Sequence, residues 1–330
     1  MGVGVLTALL ELTNLVTEFD TDEGRVRAVD RVSFVLREGE TLGLVGESGC
    51  GKSVTALSIM RLLPQPTGRI VGGGISFAGR DLTQVSSQAM QAIRGGEIGI
   101  VFQEPMTALN PVHTIGRQLT EVLLLHTDLT PDAALREAAD MLARVGIPAP
   151  DVRLGEYPHQ LSGGMRQRVV IAIALACKPR LLIADEPTTA LDVTIQAQIL
   201  ELIRELQRDM GMSVLMITHD LGVIAETCES VVVMYAGRVA ERGTVFEVFD
   251  TPAHPYTRGL LSSIPRLDGV PKAHLPTIEG MVPGLLDLPD GCRFANRCDE
   301  ARSTCTGTLP EMEPVAGEHG VACLRWRDLA

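Results

Sequence analysis

The sequence predicts an α/β protein: a parallel-sheet core, an antiparallel β subdomain ahead of it, an inserted helical subdomain, and a small cysteine-containing C-terminal extension. Three observations lead there. Residues 8–36 alternate between apolar and polar side chains on either side of the turn-forming DTDEG, the pattern of an antiparallel pair. Five short apolar runs follow: TLGLV (41–45), IGIVF (98–102), LLIA (181–184), SVLMIT (213–218) and VVVM (231–234). Runs without polar alternation suit strands covered on both faces, as in a parallel sheet. Helical patterns separate these runs.

The clearest helix is TIQAQILELIRELQRD, where Ile195, Ile199, Leu202 and Leu206 share one face. A mostly helical stretch spans about 106–175, and within it Thr130 can cap a helix that has Pro131 at its first position. Past about 245 proline and glycine become dense and Cys292, Cys298, Cys305 and Cys323 appear. Residues 1–250 therefore read as one domain and 251–330 as a separate extension.

The chain has 330 residues, 45% of them hydrophobic, which suffices for a full core. A net charge of -12 argues against nucleic acid as the main partner, because phosphate-backbone binding needs a basic surface. The N-terminus lacks the basic start and long apolar stretch of a signal peptide. The longest apolar run, VVIAIALAC (169–177), is about half of a membrane span. The chain is expected to be soluble, or membrane-bound only through a partner, in a reducing compartment where stable disulfides are rare.

GESGCGKS at 46–53 fits G-x-x-x-x-G-K-[ST] between a strand and a helical pattern, the context a phosphate-binding loop requires. Backbone N–H groups of Gly46, Glu47, Ser48, Gly49, Cys50, Gly51, Lys52 and Ser53 can wrap the phosphates, with the helix dipole behind them. Lys52 would neutralise β- and γ-oxygens and the Ser53 hydroxyl would hold Mg²⁺. Hydrolysis also needs carboxylates, and LLIADEP supplies Asp185 for the Mg²⁺ shell and Glu186 to polarise the attacking water.

LSGGMRQR (161–168) heads an apolar helix and resembles the signature motif of ABC-type ATPases. The other landmarks of that family stand in order. VFQEP with Gln103 resembles the Q-loop, ALD with Asp192 the D-loop, and ITHD with His219 the switch histidine. The resemblance covers roughly 8–245. It implies an active ATPase using ATP and Mg²⁺, with the metal held by Ser53, Gln103 and Asp185 and the transition state stabilised by His219. It also implies that Leu161, Ser162, Gly163, Gly164 and Met165 complete the ATP site of an opposing subunit. Phe19 is the match for the adenine-stacking aromatic.

Among the kinds of protein in that family, a sequence without coiled coil, second engine or fused membrane helices resembles an importer-type subunit that docks on separate membrane proteins. Its tail, from TPAHPYTRGLLSS to GCRFANRCDEARSTC, resembles the C-terminal extension of ATP-binding subunits of bacterial dipeptide and oligopeptide importers. That resemblance implies a second, non-identical ATPase subunit, two membrane permease subunits, an extracytoplasmic peptide-binding protein, and a peripheral place on the cytoplasmic face of the cell membrane. Nickel and other small-solute importers share the wider group, and a stand-alone soluble ABC ATPase is the other class of reading.

The C-x5-C-x6-C-x17-C spacing of Cys292, Cys298, Cys305 and Cys323 has no C-x2-4-C pair of the kind zinc prefers. Four thiolates also suit an iron–sulfur cluster, so spacing leaves iron, zinc and unligated thiols open. The family resemblance implies a [4Fe–4S] cluster. Cys50 contributes backbone to the phosphate loop, and Cys177 and Cys228 read as small core hydrophobes.

Overall fold

In the computed structural model, which describes residues 7–103, 108–189, 192–264 and 277–329, the chain forms two units. One gathers the described residues up to Arg37, Thr41–Thr83 and those from Ile217 onward; the other holds Glu38–Glu40 and Gln84–Met216.

The first unit opens with β1 (Ala8–Thr21) and β2 (Gly24–Arg37), paired antiparallel as the alternation expects. Leu10, Leu12 and Leu15 are buried while Glu11 and Thr13 are exposed, so one face is covered and the other wet. After β3 (Thr41–Val45), buried along its whole length, comes helix α1 (Lys52–Ile59). The Thr17 and Ser58 hydroxyls, 2.8 Å apart, join α1 to β1.

β4 (Gly68–Phe77) pairs with the free edge of β1, and β5 (Arg80–Asp81) follows it, giving the order β2-β1-β4-β5. Nothing in the hydropathy pattern marks β4, because Gly72, Gly73 and Gly74 interrupt its alternation. A Cβ on Gly73 would lie 2.2 Å from the Asn14 carbonyl oxygen, so the two strands meet too closely there for any side chain. The ladder shifts register at this point.

The second unit contains α2 (Ser87–Ile93), β6 (Ile98–Val101), α3 (Ile115–His126), α4 (Pro131–Arg144), α5 (Gly163–Leu175), β7 (Leu181–Asp185), α6 (Val193–Met210) and most of β8 (Ser213–Thr218). β6 and β7 are parallel, Ile98 opposite Leu181, and β8 flanks β7. Thr130 accepts from the Ala133 N–H at 3.4 Å and Pro131 starts α4, as the sequence expects. On α6, Ile199, Leu202 and Leu206 are buried and Ile195 half-buried. Residues 104–107, with the start of the expected helical stretch, lie outside the described residues, as do Ala190 and Leu191 of the ALD motif.

The chain then returns to the first unit through α7 (Leu221–Thr227), β9 (Ser230–Tyr235), β10 (Arg238–Thr244), α8 (Val245–Asp250) and α9 (Pro255–Ser262). β9 runs parallel to β3, and the tail adds a hairpin, β11 (Glu313–Ala316) and β12 (His319–Val321), to the edge of β10. Two further links hold the tail. Arg293 donates to Asp30 of β2 at 2.6 Å, both side chains largely buried. Phe294 packs edge-on against Tyr235 and at a tilt against Tyr256, centroids 5.1 and 5.3 Å apart. Burial lowers His254 to about 4, so its ring is neutral and Nδ1 can accept the Tyr256 N–H at 3.0 Å.

Among the described residues no helix is long and apolar enough to cross a membrane.

Candidate functional site

The phosphate-loop sequence lies where β3 ends and α1 begins. Gly46 has φ +149°, and a Cβ there would stand 2.2 Å from the Met234 carbonyl oxygen, so the loop's entry excludes every side chain. Gly51, at the cap position before α1, offers no side-chain cap, whereas Ser86, Thr114, Thr130, Ser162 and Asp192 each cap their helices. First-turn amides without a side-chain acceptor suit an anion. Lys52, 5% exposed, folds back on its own loop and donates to the Gly46 carbonyl at 2.7 Å and the Glu47 carbonyl at 3.2 Å. Ser53 is exposed beside it.

Cys50 is fully buried, its thiol pushed up by burial, and its carbonyl accepts from Gly237 at 2.9 Å. Phe19 is half-buried, and its ring covers Gly68 on β4, where a Cβ would come within 2.7 Å of it. His219 is exposed just beyond β8, and Asp220 after it caps α7 through the Gly222 N–H at 2.8 Å.

In the second unit the acidic pair ends β7. Asp185 is buried, and Glu186 takes φ +48°, a left-handed conformation that a non-glycine residue rarely adopts. Gln103 donates from Nε2 to Glu186 Oε2 at 3.0 Å, and the Thr189 hydroxyl donates to the same oxygen at 2.8 Å. Two residues singled out separately in the sequence thus meet across 83 positions, and Thr189 joins them without having been predicted.

Ser162 caps α5, accepting from the Met165 N–H at 3.3 Å, with Leu161 buried before it. A Cβ on Gly163 would meet nothing within 4 Å, while one on Gly164 would press on Ile195 of α6 at 3.2 Å. Asp192 caps α6 through the Ile195 N–H at 3.0 Å. Gln167 ties α5 to the Pro187 carbonyl at 2.6 Å, close behind Glu186 in the chain.

All seven cysteines are free thiols. Cys292, Cys298, Cys305 and Cys323 line one small cavity, and the Cys292 N–H donates to the Cys305 carbonyl at 2.8 Å. Burial pushes the Cys292 thiol up to about 11, with the other three sulfurs adding to the effect, and burial raises Cys298 and Cys323 as well. Among the described residues no three His, Cys, Asp or Glu side chains are placed to hold a metal ion. The donor chemistry is that of a thiolate metal site, but the thiols as placed do not form one. Cys177 and Cys228, expected as core residues, are only half-buried.

Two contacts to the phosphate loop escaped the sequence reading. The Tyr256 hydroxyl accepts from the Glu47 N–H at 2.9 Å, and Arg297 grips the Glu47 carboxylate. Both come from the extension, and no spacing rule could have linked them to the loop.

Residues 29–189 match the family described as ABC transporter, and 240–305 match the oligopeptide/dipeptide transporter C-terminal region. A probable peptide ABC transporter ATP-binding protein of Sinorhizobium fredii is 52% identical over 97% of this chain and 95% of its own. The dipeptide transport ATP-binding protein DppD of Bacillus subtilis is 53% identical over 96% of this chain and 94% of its own. Among solved structures, an ATP-binding cassette dimer in a post-hydrolysis state with ADP and Pi matches with TM-score 0.64 at 27% identity, covering 72% of this chain and 98% of that one. The chain is an ABC-type ATPase: it belongs to the ABC transporter family and carries the oligopeptide/dipeptide transporter C-terminal region.

Proposed function

We propose that the chain is the ATP-hydrolysing subunit of an importer of di- and oligopeptides. It works beside a second, non-identical ATPase subunit, two membrane permeases and an extracytoplasmic peptide-binding protein, on the cytoplasmic face of the cell membrane. The observation that carries this reading is the pairing of a phosphate loop with the C-terminal region that its peptide-transport relatives share.

In this reading the amides of residues 46–53 cradle the ATP phosphates, and Lys52 exchanges its carbonyl partners for phosphate oxygens. Phe19 stacks on adenine. The oxygens of Ser53, Gln103 and Asp185 are hard donors of the kind Mg²⁺ takes, and the metal would neutralise phosphate charge there. Glu186 orients and deprotonates the attacking water, and His219 steadies the γ-phosphate. Leu161 to Met165, at the head of α5, serve the ATP of the opposing subunit, and Asp192 lies at the same interface.

Moving a conformational equilibrium from about 1:99 to 99:1 takes roughly 5.5 kcal/mol of differential binding, which charge-assisted contacts at two nucleotide sites can supply. The test is co-purification and reconstitution. The chain should copurify with permease subunits, and vesicles containing the complex should hydrolyse ATP faster with peptide-loaded binding protein. Stimulation by nickel, or a chain that never associates with permeases, would overturn the peptide reading.

For the four cysteines that share a cavity we propose a [4Fe–4S] cluster with a structural role, since neither hydrolysis nor peptide movement needs an electron. Anaerobically purified protein should be brown, absorb near 400 nm and contain about four irons per chain. Zinc without iron, or no metal at all, would reject the cluster.

A further inference from the structure

Glu47, the second residue of the phosphate loop, is held at all three of its polar groups. The Arg297 guanidinium takes its carboxylate in a two-pronged grip, Nη1 to Oε2 at 2.7 Å and Nη2 to Oε1 at 3.0 Å. The buried Tyr256 hydroxyl accepts its N–H at 2.9 Å, and Lys52 donates to its carbonyl at 3.2 Å. The third of these is the lysine whose charge the loop exists to present. The first two belong to the C-terminal extension.

Arg297 is itself fixed. Its side chain is 5% exposed, Nε donates to the Glu279 carbonyl at 2.9 Å, and the guanidinium lies over the Tyr235 ring, 5.9 Å from the centroid. It ends the short turn Ala295–Arg297 between Cys292 and Cys298, so the residue that grips Glu47 is the chain neighbour of a cysteine lining that cavity. A planar fork on a carboxylate fixes direction as well as distance, which a flexible ammonium would not do.

We infer that Arg297 and Tyr256 are positioning residues for ATP binding: through Glu47 they set the conformation in which the phosphate loop presents Lys52. The inference rests on the nucleotide reading of the loop. Tyr256 turns the Glu47 amide toward the extension and leaves the later amides of the loop to the phosphates. Any change in the cysteine-bearing turn that moves Arg297 therefore alters nucleotide affinity. A link that only anchors the tail would change stability without changing affinity.

The test is steady-state ATP hydrolysis by the full-length chain assembled with its ATPase and permease partners, as R297A, E47Q, Y256F and R297K, with thermal melting recorded for each. In R297A and E47Q the KM for ATP should rise about tenfold with kcat within about twofold, and the double variant should be no worse than the weaker single one. R297K, which keeps charge but loses the fork, should recover part of the KM. Unchanged KM in both single variants, or fully additive losses in the double, would overturn the inference. Should R297A not fold, E47Q and Y256F pose the same question from the loop side. Lys52→Ala separates the two levels: if wild type binds ATP, K52A loses that affinity and R297A matches wild type, only this inference fails. A wild type that binds no ATP would remove the nucleotide reading itself.

Discussion

Glu186→Gln is expected to lower ATP turnover about a thousandfold while leaving ATP affinity within about twofold, because a positioned general base contributes roughly 10²–10⁴ in rate. The structure makes this a clean substitution. The Glu186 Oε2 atom accepts from Gln103 Nε2 at 3.0 Å and from the Thr189 hydroxyl at 2.8 Å. A glutamine carbonyl oxygen can accept both bonds, so the side chain keeps its place and its φ of +48°. What disappears is the charge and the capacity to take a proton from water. Single-turnover phosphate release, run beside nucleotide binding, measures the two quantities separately. Near-wild-type turnover would remove Glu186 from the reaction.

Lys52→Ala should act on the other quantity, weakening ATP binding on the order of 100-fold, since hydrogen bonds to charged partners are the costly ones to lose. The ammonium is 5% exposed and braces the carbonyls of Gly46 and Glu47, so the substitution removes the phosphate's counter-charge and loosens the loop together. Lys52→Arg should not rescue it, because a planar fork does not fit a slot shaped around a compact ammonium. Titration with a fluorescent ATP analogue reads the loss directly. Affinity retained in K52A would mean that the loop binds something other than a nucleoside triphosphate.

The residues of these two predictions differ in how they could be found. Lys52 and the loop around it are legible in eight consecutive letters, since close glycines, a lysine and a following helix act over short range. Glu186 was legible as an acid at the end of an apolar strand, but its partners Gln103 and Thr189 were not tied to it by any local rule. β4 was hidden for a different reason: its Gly73 accommodates the Asn14 backbone on the neighbouring strand, a need created by pairing rather than by hydropathy. The cysteine spacing left iron, zinc and free thiols open, and only the fold brings Cys323 to the cavity of the other three.

By itself the sequence determined the class of chemistry, because a phosphate loop is built from the backbone habits of neighbouring residues. It also determined the family, through five motifs in order. Only the tertiary structure decided what holds that loop still. Arg297 lies 250 positions from Glu47, and a carboxylate accepts any guanidinium that the fold delivers to it. Sequence records the donor and the acceptor, while the packing of Phe294, Tyr235 and Tyr256 decides that they meet.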